Sequence, residues 1–282
     1  MKISTHYSSK NGSFYFHHTV TEPTSDVSAI YGPESHRWFE IIYLIEGEVQ
    51  YFIEGEQYLA RTGDLIFILP NEIHAIQRNS KMKYERVVVS FDFNVIKDML
   101  DLGGFTVDDS FLEMKNAVHR IIPTRLVEKY GLKDILYGIG NLDVADPAVS
   151  YRFVSAVLLL VTGLNNLFSK ESSEPVFLVA TDPVVKKAVD YINNHVTEQI
   201  TLDEISEALH VSKSTLCHKF SEYMNTSVNR YIAAKKIYYA MRLIKNGMRA
   251  TEAAESVGYE HYTTFYHNYK QIIGVSPSID KK

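Results

Sequence analysis

The sequence predicts a two-domain α+β protein: an N-terminal antiparallel β-barrel followed by helices, then a C-terminal all-α domain with two helix-turn-helix units joined by a long helix. Three observations carry that prediction. At 282 residues the chain is too long for one ordinary core and suits two domains of roughly 100 to 200 residues each. Between Glu40 and Phe93, short β-rich runs alternate with glycine-containing turns. After Asp182, one helix-turn-helix pattern occurs twice.

Composition narrows the class. Apolar residues make up 45% and charged residues 22%, the balance of a globular protein in which both halves fold. The longest apolar stretch, Val154 to Val161, is far short of the roughly 20 residues a membrane span needs, and the N-terminus lacks a signal peptide's apolar core. The reading is therefore a cytoplasmic protein with no membrane partner. Cys217 is the single cysteine, which excludes an internal disulfide or a multi-thiolate metal site within one chain and fits a reducing compartment. Net charge is −5, but it divides unevenly: from Asp182 onward 13 Lys and Arg face 11 Asp and Glu, or +2, leaving −7 for the first 181 residues. A domain at +2 does not by itself point to nucleic acid.

The β-rich runs are Ile41 to Ile45, ending at Glu46-Gly47; Gln50 to Ile53, ending at Glu54-Gly55; and Leu65 to Leu69, bounded by Gly63-Asp64 and Pro70-Asn71. Such spacing argues an antiparallel barrel or sandwich. Residues 110–120 and 146–170 then carry apolar residues at three- and four-residue intervals, as helices with a buried face do. The second of these, with Val154, Val157, Leu158, Val161, Leu164 and Leu167, packs on the barrel or on a second subunit. Ser169 to Thr181 contains Lys170, Glu171, Ser172-Ser173, Glu174 and Pro175, a composition that favours an exposed connection. The domains are accordingly 1–172 and 182–282, with a linker at 173–181. Asp182-Pro183 opens the helical part as N-cap and first helical residue.

Thr201-Leu202-Asp203-Glu204 is a capping box, with the Thr hydroxyl and the Glu carboxylate taking orphan amides at a helix start. The helix runs through Ile205, Ala208 and Leu209, turns at His210-Val211-Ser212, and a second helix starts from Ser212 as N-cap. The pattern returns with Thr251 opening a helix through Val257, a turn at Gly258-Tyr259, and a second helix holding Thr264 to Lys270. His210 and Gly258, 48 residues apart, occupy equivalent turn positions where a positive φ is needed. Asn225 and Gly274 fall where each second helix can end in the left-handed conformation. Between the units Val228 to Leu243 is long enough, at about 1.5 Å per residue, to hold two reading heads about one DNA turn apart.

On these residues the C-terminal segment resembles the AraC/XylS family of transcription regulators. The match runs from Thr201 to Ser212, through Leu216 and Phe220, then Val257-Gly258-Tyr259 with Phe265, and Gly274-Val275-Ser276-Pro277. The resemblance implies that the second helix of each unit lies in a major groove of double-stranded DNA, and that the other domain senses a ligand or dimerises. It departs from the pattern at Lys236, His218 and His267, where Arg is common, and at Ala253, where a larger aliphatic is usual. Exposed residues early in the recognition helices are the candidate base readers: Lys213, Ser214, Thr215 and His218 in the first, His261, Tyr262, Thr263 and His267 in the second. Lys219, Lys236 and Lys270 are candidates for phosphate contacts, because an ammonium is a point charge. Leu216, Phe220, Phe265 and Tyr269 read as core.

Glu40 to Tyr43 leading to Gly47, with Gly63-Asp64 and Pro70 to His74, is similar to the cupin barrel that precedes the DNA-binding part of many such regulators. In cupin enzymes a metal is held by a His-x-His, a Glu and a later His. This chain offers His36, Glu40 and His74, with Trp38 in place of the second His, and the sequence assigns no metal and no cofactor. The preferred reading is a polar, sugar-like effector, recognised by His36, Arg37, Glu40 and His74 against the rings of Trp38 and Tyr43. The competing reading is that Trp38 and Tyr43 simply fill the barrel.

The expectation is a non-enzymatic, effector-controlled regulator that binds double-stranded DNA as a homodimer. The alternative, a metal-dependent cupin enzyme fused to a helical domain, leaves the repeat unexplained.

Overall fold

A computed structural model describes residues 2–10, 12–23, 30–70, 72–78, 81–104, 120–171, 178–179, 182–224 and 226–278. Two antiparallel sheets face one another in the N-terminal half. Their strands are β1 Lys2–Ser8, β2 Phe14–Thr21, β3 Ile30–Glu34, β4 Phe39–Glu46, β5 Glu48–Ile53, β6 Glu56–Arg61, β7 Leu65–Ile68, β8 His74–Arg78, β9 Tyr84–Phe91, β10 Ile121–Ile122 and β11 Leu178–Val179. One sheet has the order β1-β2-β9-β4-β7-β10 and the other β11-β6-β5-β8-β3. The expected β-domain is present, as two facing sheets that do not close into one continuous ladder among the described residues. Strands β1 to β3 precede the region that the apolar runs had marked.

Alternation decides what each strand faces. Ile42, Leu44, Tyr51, Ile53, Ile66, Ile76, Tyr84 and Val88 point between the sheets and form one buried cluster. Their neighbours Phe39, Ile41, Tyr43, Phe67, Val87, Val89 and Phe91 point outward, under helices α3 Leu132–Gly140 and α4 Val149–Lys170. Helices α1 Phe93–Leu102 and α2 Thr124–Lys129 complete that side. By composition α4 is long and apolar enough to cross a membrane, yet Val149, Phe153, Val157, Leu160, Leu164 and Leu167 form one face buried on the sheet. The predicted helix at 110–120 lies outside the described residues apart from Arg120.

The opposite sheet carries the C-terminal domain on its outer face. Phe52, Ile73 and Ala75 share a core with Val185, Ala188, Val189 and Ile192 of α5 Pro183–Asn194. The segment expected to be a free linker contributes a strand instead: β11 pairs with β6, Leu178 opposite Tyr58 and Val179 opposite Gln57. The backbone amides of an edge strand need partners, and a passing extended segment supplies them.

The repeat is present as predicted. Helices α6 Leu202–Ala208 and α7 Lys213–Met224 form the first unit, α8 Val228–Lys245 connects, and α9 Ala250–Ser256 with α10 Tyr262–Ile273 form the second. Thr201 and Glu204 make the reciprocal capping box, with Glu204 N donating to Thr201 Oγ1 at 3.2 Å and Thr201 N to Glu204 Oε2 at 2.8 Å. Ser212 Oγ accepts from Thr215 N at 3.1 Å, capping α7. His210 and Gly258 have φ of 54° and 72°. Only glycine serves at the second turn, because a Cβ there would lie 2.9 Å from the Glu198 carbonyl. The start of α9 corrects the prediction: its N-cap is Arg249, whose N–H donates to Glu252 Oε2 at 3.2 Å, and Thr251 is already helical. Gly274 caps α10 in the left-handed region, while Asn225 lies outside the described residues.

Candidate functional site: an exposed pair of helix ends and a polar cluster between the sheets

The DNA-facing candidates are built on rigid helices. Leu216 and Phe220 of α7, and Phe265 and Tyr269 of α10, are fully buried, so each helix has one fixed face and one free face. On the free faces Lys213, Ser214, Thr215 and His218, and His261, Tyr262, Thr263, His267 and Lys270, are all exposed. Tyr262 lies against Phe265 and Tyr266, which fixes its ring. Lys213 pairs with Asp203, and His218 stands 3.7 Å from Glu222.

Two lysines depart from their expected place. Lys236 is 7% exposed; its Nζ donates to the Glu198 carbonyl and lies 5.8 Å from the Tyr259 ring centre. Burial lowers its pKa. Such a lysine ties α8 to both units from within and is not placed to meet a phosphate. Lys219 bonds Asp182 Oδ2 at 2.6 Å, tying α7 to the N-cap of α5.

Between the sheets a polar cluster forms around Glu40. The carboxylate takes a hydrogen bond from His36 Nε2 at 2.8 Å and one from Ser90 Oγ at 3.5 Å. Burial pushes the Glu40 carboxyl up, but the hydrogen bond and charge of His36, with the charges of His74 and Arg86, bring it down to about 2. His36 is pushed down by burial and raised overall by Glu40. His74 is lowered, chiefly by burial. Arg86 donates to Tyr84 Oη at 3.0 Å, and the Tyr84 and Tyr51 hydroxyls are 3.3 Å apart.

Three buried atoms of this cluster, Trp38 Nε1, His74 Nε2 and Arg86 Nε, have no hydrogen-bond partner among the described residues. Burying such atoms unpaired costs about 1–3 kcal/mol each, so they mark a place built to meet something else.

Of the residues expected here, His36, Trp38, Glu40 and His74 come together; Arg37 reaches only the Trp38 ring, and Tyr43 stays apart. Tyr43 faces outward against Tyr137, with ring centres 5.7 Å apart, because it is an odd number of residues from Glu40 on the same strand. Arg37 stands at the rim, its guanidinium 5.6 Å from the centre of the Trp38 ring, and lines a cavity of about 680 Å³ between the two domains, beside Phe39, Lys235 and Met241. Arg86, Tyr51, Tyr84 and Ser90 belong to the cluster and were not anticipated. The usable signal is an arginine in a valine-rich strand, one step from Val87.

Comparison with known proteins agrees with this arrangement. Residues 25–138 match the model of the AraC-like ligand binding domain, and residues 205–281 match that of a helix-turn-helix domain. The chain belongs to the AraC/XylS family of transcription regulators. It is a DNA-binding regulator with an N-terminal ligand-binding domain, and the enzyme alternative is set aside. The regulator is 23% identical over 243 residues to the uncharacterized HTH-type transcriptional regulator YdiP of Escherichia coli K12, covering 85% of this chain and 77% of that one. It is 31% identical over 98 residues to the xylose operon regulatory protein of the same strain, covering 34% of this chain and 25% of that one. Among solved structures, ToxT of Vibrio cholerae aligns over 95% of this chain and 97% of its own, at 14% identity and a TM-score of 0.38.

Proposed function

We propose that this regulator binds a polyhydroxylated, sugar-like effector between the two sheets of the N-terminal domain. The observation that carries this is the set of unpartnered buried donors around an ionised Glu40. Trp38 Nε1 and Arg86 Nε offer hydrogens to a ligand and the Glu40 carboxylate can accept hydrogens from it, which suits a ligand bearing several hydroxyls. Trp38 adds an aromatic face. The match to the xylose operon regulatory protein spans 98 residues, about a quarter of that protein's length, and says nothing of effector choice.

On the DNA side, Ser214, Thr215 and His218 of α7 and His261, Thr263 and His267 of α10 read base edges, with Lys213, Tyr262 and Lys270 beside them. Their exposure on the free faces of two core-anchored helices supports this. The regulator acts as a homodimer in the cytoplasm, where its DNA is. Tyr151 and Leu159 of α4, 78% and 60% exposed, support a dimer face on that helix.

Calorimetry with a panel of aldopentoses and aldohexoses, run in chelator, tests the effector reading. Saturable binding by wild type that Arg86→Ala weakens tenfold or more is expected. No heat from any sugar would contradict it.

A further inference from the structure

We propose that Arg78 and Arg86 form a carboxylate-binding subsite between the two sheets, so that the effector is an acidic sugar of the uronate kind. This rests on the effector reading above and adds the charge of the ligand to it.

Alternation and register put both arginines on one layer. On β8, Ile76 points between the sheets and Ala75 into the C-terminal core, so Arg78 shares the inner face with Ile76 and His74. On β9, Tyr84 and Val88 point inward and Val87 and Val89 outward, so Arg86 and Ser90 are inner residues as well. Ser90 and His74 mark the level of Glu40, with Ser90 Oγ 3.5 Å from its carboxylate and a His74 ring nitrogen within 4.8 Å of it. Arg86 stands four residues before Ser90 and Arg78 four after His74, each roughly 13 Å along its strand. Both arrive at the same end: Arg86 is opposite Leu44 and Arg78 opposite Val49, on either side of the turn at Gly47. At that end Tyr51 of one sheet meets Tyr84 of the other, their hydroxyls 3.3 Å apart.

The interior is closed on one side and open on the other. Under β4 to β7 it is filled by Ile42, Tyr51, Ala60 and Ile66, each fully buried. Beside β2 and β9 the inner residues are polar. Phe14 and Phe16 of β2 join the outer cluster, which leaves Tyr15, His17 and Thr19 on the inner face, alongside Ser90, Val88 and Arg86. Tyr15, His17, Glu40 and Arg86 are only half-buried although they point between the sheets. Inward side chains that keep accessible surface need an opening between the sheets. Tyr15 stands at the level of Ser90 and Thr19 at that of Arg86, so the polar wall runs from Glu40 to the arginines.

Arg78 carries the argument. It is 5% exposed, its Nε and Nη1 have no hydrogen-bond partner, and it forms no salt bridge among the described residues. A guanidinium does not shed its proton as a buried lysine can, and an uncompensated buried charge is strongly unfavourable. Three N–H hydrogens of Arg78, one on Nε and two on Nη1, are left for acceptors, together with the Nε–H of Arg86. Arg86 is offset by Glu40 and has the Tyr84 hydroxyl 3.0 Å from Nη1, whereas Arg78 has neither. One positive charge is left over, which matches the single charge of a carboxylate and not the near-double charge of a phosphate ester. Glu40 repels an anion, but it lies at the other level, held by His36 at 2.8 Å, where it suits hydroxyls. Donors for a carboxylate at one end and an acceptor for hydroxyls at the other describe a sugar acid.

Calorimetry of the full chain, in chelator and at constant ionic strength, would compare galacturonate and glucuronate with galactose and glucose, with the methyl esters of both uronates and with the two hexose 6-phosphates. Expected is at least one uronate that binds tenfold or more tighter than its parent hexose and its uncharged ester, with the 6-phosphate no tighter than the hexose. In Arg78→Gln that preference is expected to vanish, and Arg78→Lys, which keeps the charge, restores part of it. Uronates that bind no tighter than their hexoses overturn the proposal, as does an Arg78→Gln variant that weakens acid and hexose by the same factor. A 6-phosphate that binds tightest overturns the choice of carboxylate. In each of these cases the effector reading stands, because a sugar binds. If no sugar of any kind gives heat, the effector reading fails and acetate alone decides the subsite. Acetate in place of chloride is expected to raise the melting temperature of wild type and not of Arg78→Gln, and equal shifts, or none, overturn the subsite.

Discussion

Lys235 in the middle of α8 forms an ion pair with Glu54 at the tip of the β5–β6 turn, so that the pair spans the domain boundary. Glu54 adopts a left-handed φ of 49° to do so, and its carboxylate also takes Ile73 N at 2.6 Å and Asn193 Nδ2 at 3.2 Å. The next residue, Gly55, has φ 80°, and a Cβ there would sit 2.7 Å from Val189 Cγ2. Gly55→Ala therefore forces the turn off α5 at a cost of about 1–3 kcal/mol. In urea, Trp38 fluorescence reports the β-domain and far-UV circular dichroism the helices. The two transitions are expected to coincide in wild type and to separate in the variant.

Acid weakens the same contact. Burial raises the Glu56 carboxyl, and hydrogen bonds from Lys186 at 2.6 Å and from Tyr58 more than reverse this, holding it below its ordinary value of 4.5. A depressed carboxylate contributes stability that is fully present above its unfolded value and is lost as pH falls through its folded one. Domain coupling is thus expected to hold down to about pH 4.5 and to decline below it. Glu56→Gln flattens that decline. The coincidence of the two unfolding transitions, followed with pH, checks it.

Lys236 separates structure from recognition. Lys236→Met, which removes a buried ammonium bonded to the Glu198 carbonyl, is expected to lower the melting temperature of the C-terminal domain. It should leave the salt dependence of DNA binding unchanged, whereas Lys270→Met lowers the slope of log K against log salt by about 1. Equal slopes in both variants would return Lys236 to the phosphate contacts.

How much of this was legible in the sequence depends on the range of the interaction. The capping box at Thr201 and Glu204, the left-handed turns at His210 and Gly258 and the Gly274 cap were all readable, because each is decided within a few residues. In the β-domain, parity was the obstacle. β4 and β9 are buried on both faces, so apolar runs such as Ile41-Ile42 and Val87 to Val89 do not show which side faces the polar cluster. Tyr43 was placed on the wrong face for that reason and Arg86 was overlooked. Counting from Glu40 would have corrected the first. The pairing of β11 with β6, the Glu54–Lys235 bridge and the burial of Lys236 join residues distant in sequence, and no local pattern announces them.

The exposed side of α4 gives a prediction on assembly. Leu164 is fully buried, so a charge there breaks the core. Tyr151 and Leu159 are exposed, and the double variant Tyr151→Glu, Leu159→Glu is expected to fold and to sediment as a monomer. A folded, unchanged dimer would move the interface elsewhere.

The most direct test of the regulator itself is fluorescence anisotropy of the full chain on duplex DNA from upstream of its own gene, beside a scrambled duplex, across a salt series. The account predicts tight, salt-dependent binding that prefers one upstream segment. It also predicts that Thr215→Ala and Thr263→Ala each lose about 1–3 kcal/mol of that preference while leaving scrambled-duplex binding unchanged. Equal affinity for every segment and the scrambled duplex at low salt would contradict it.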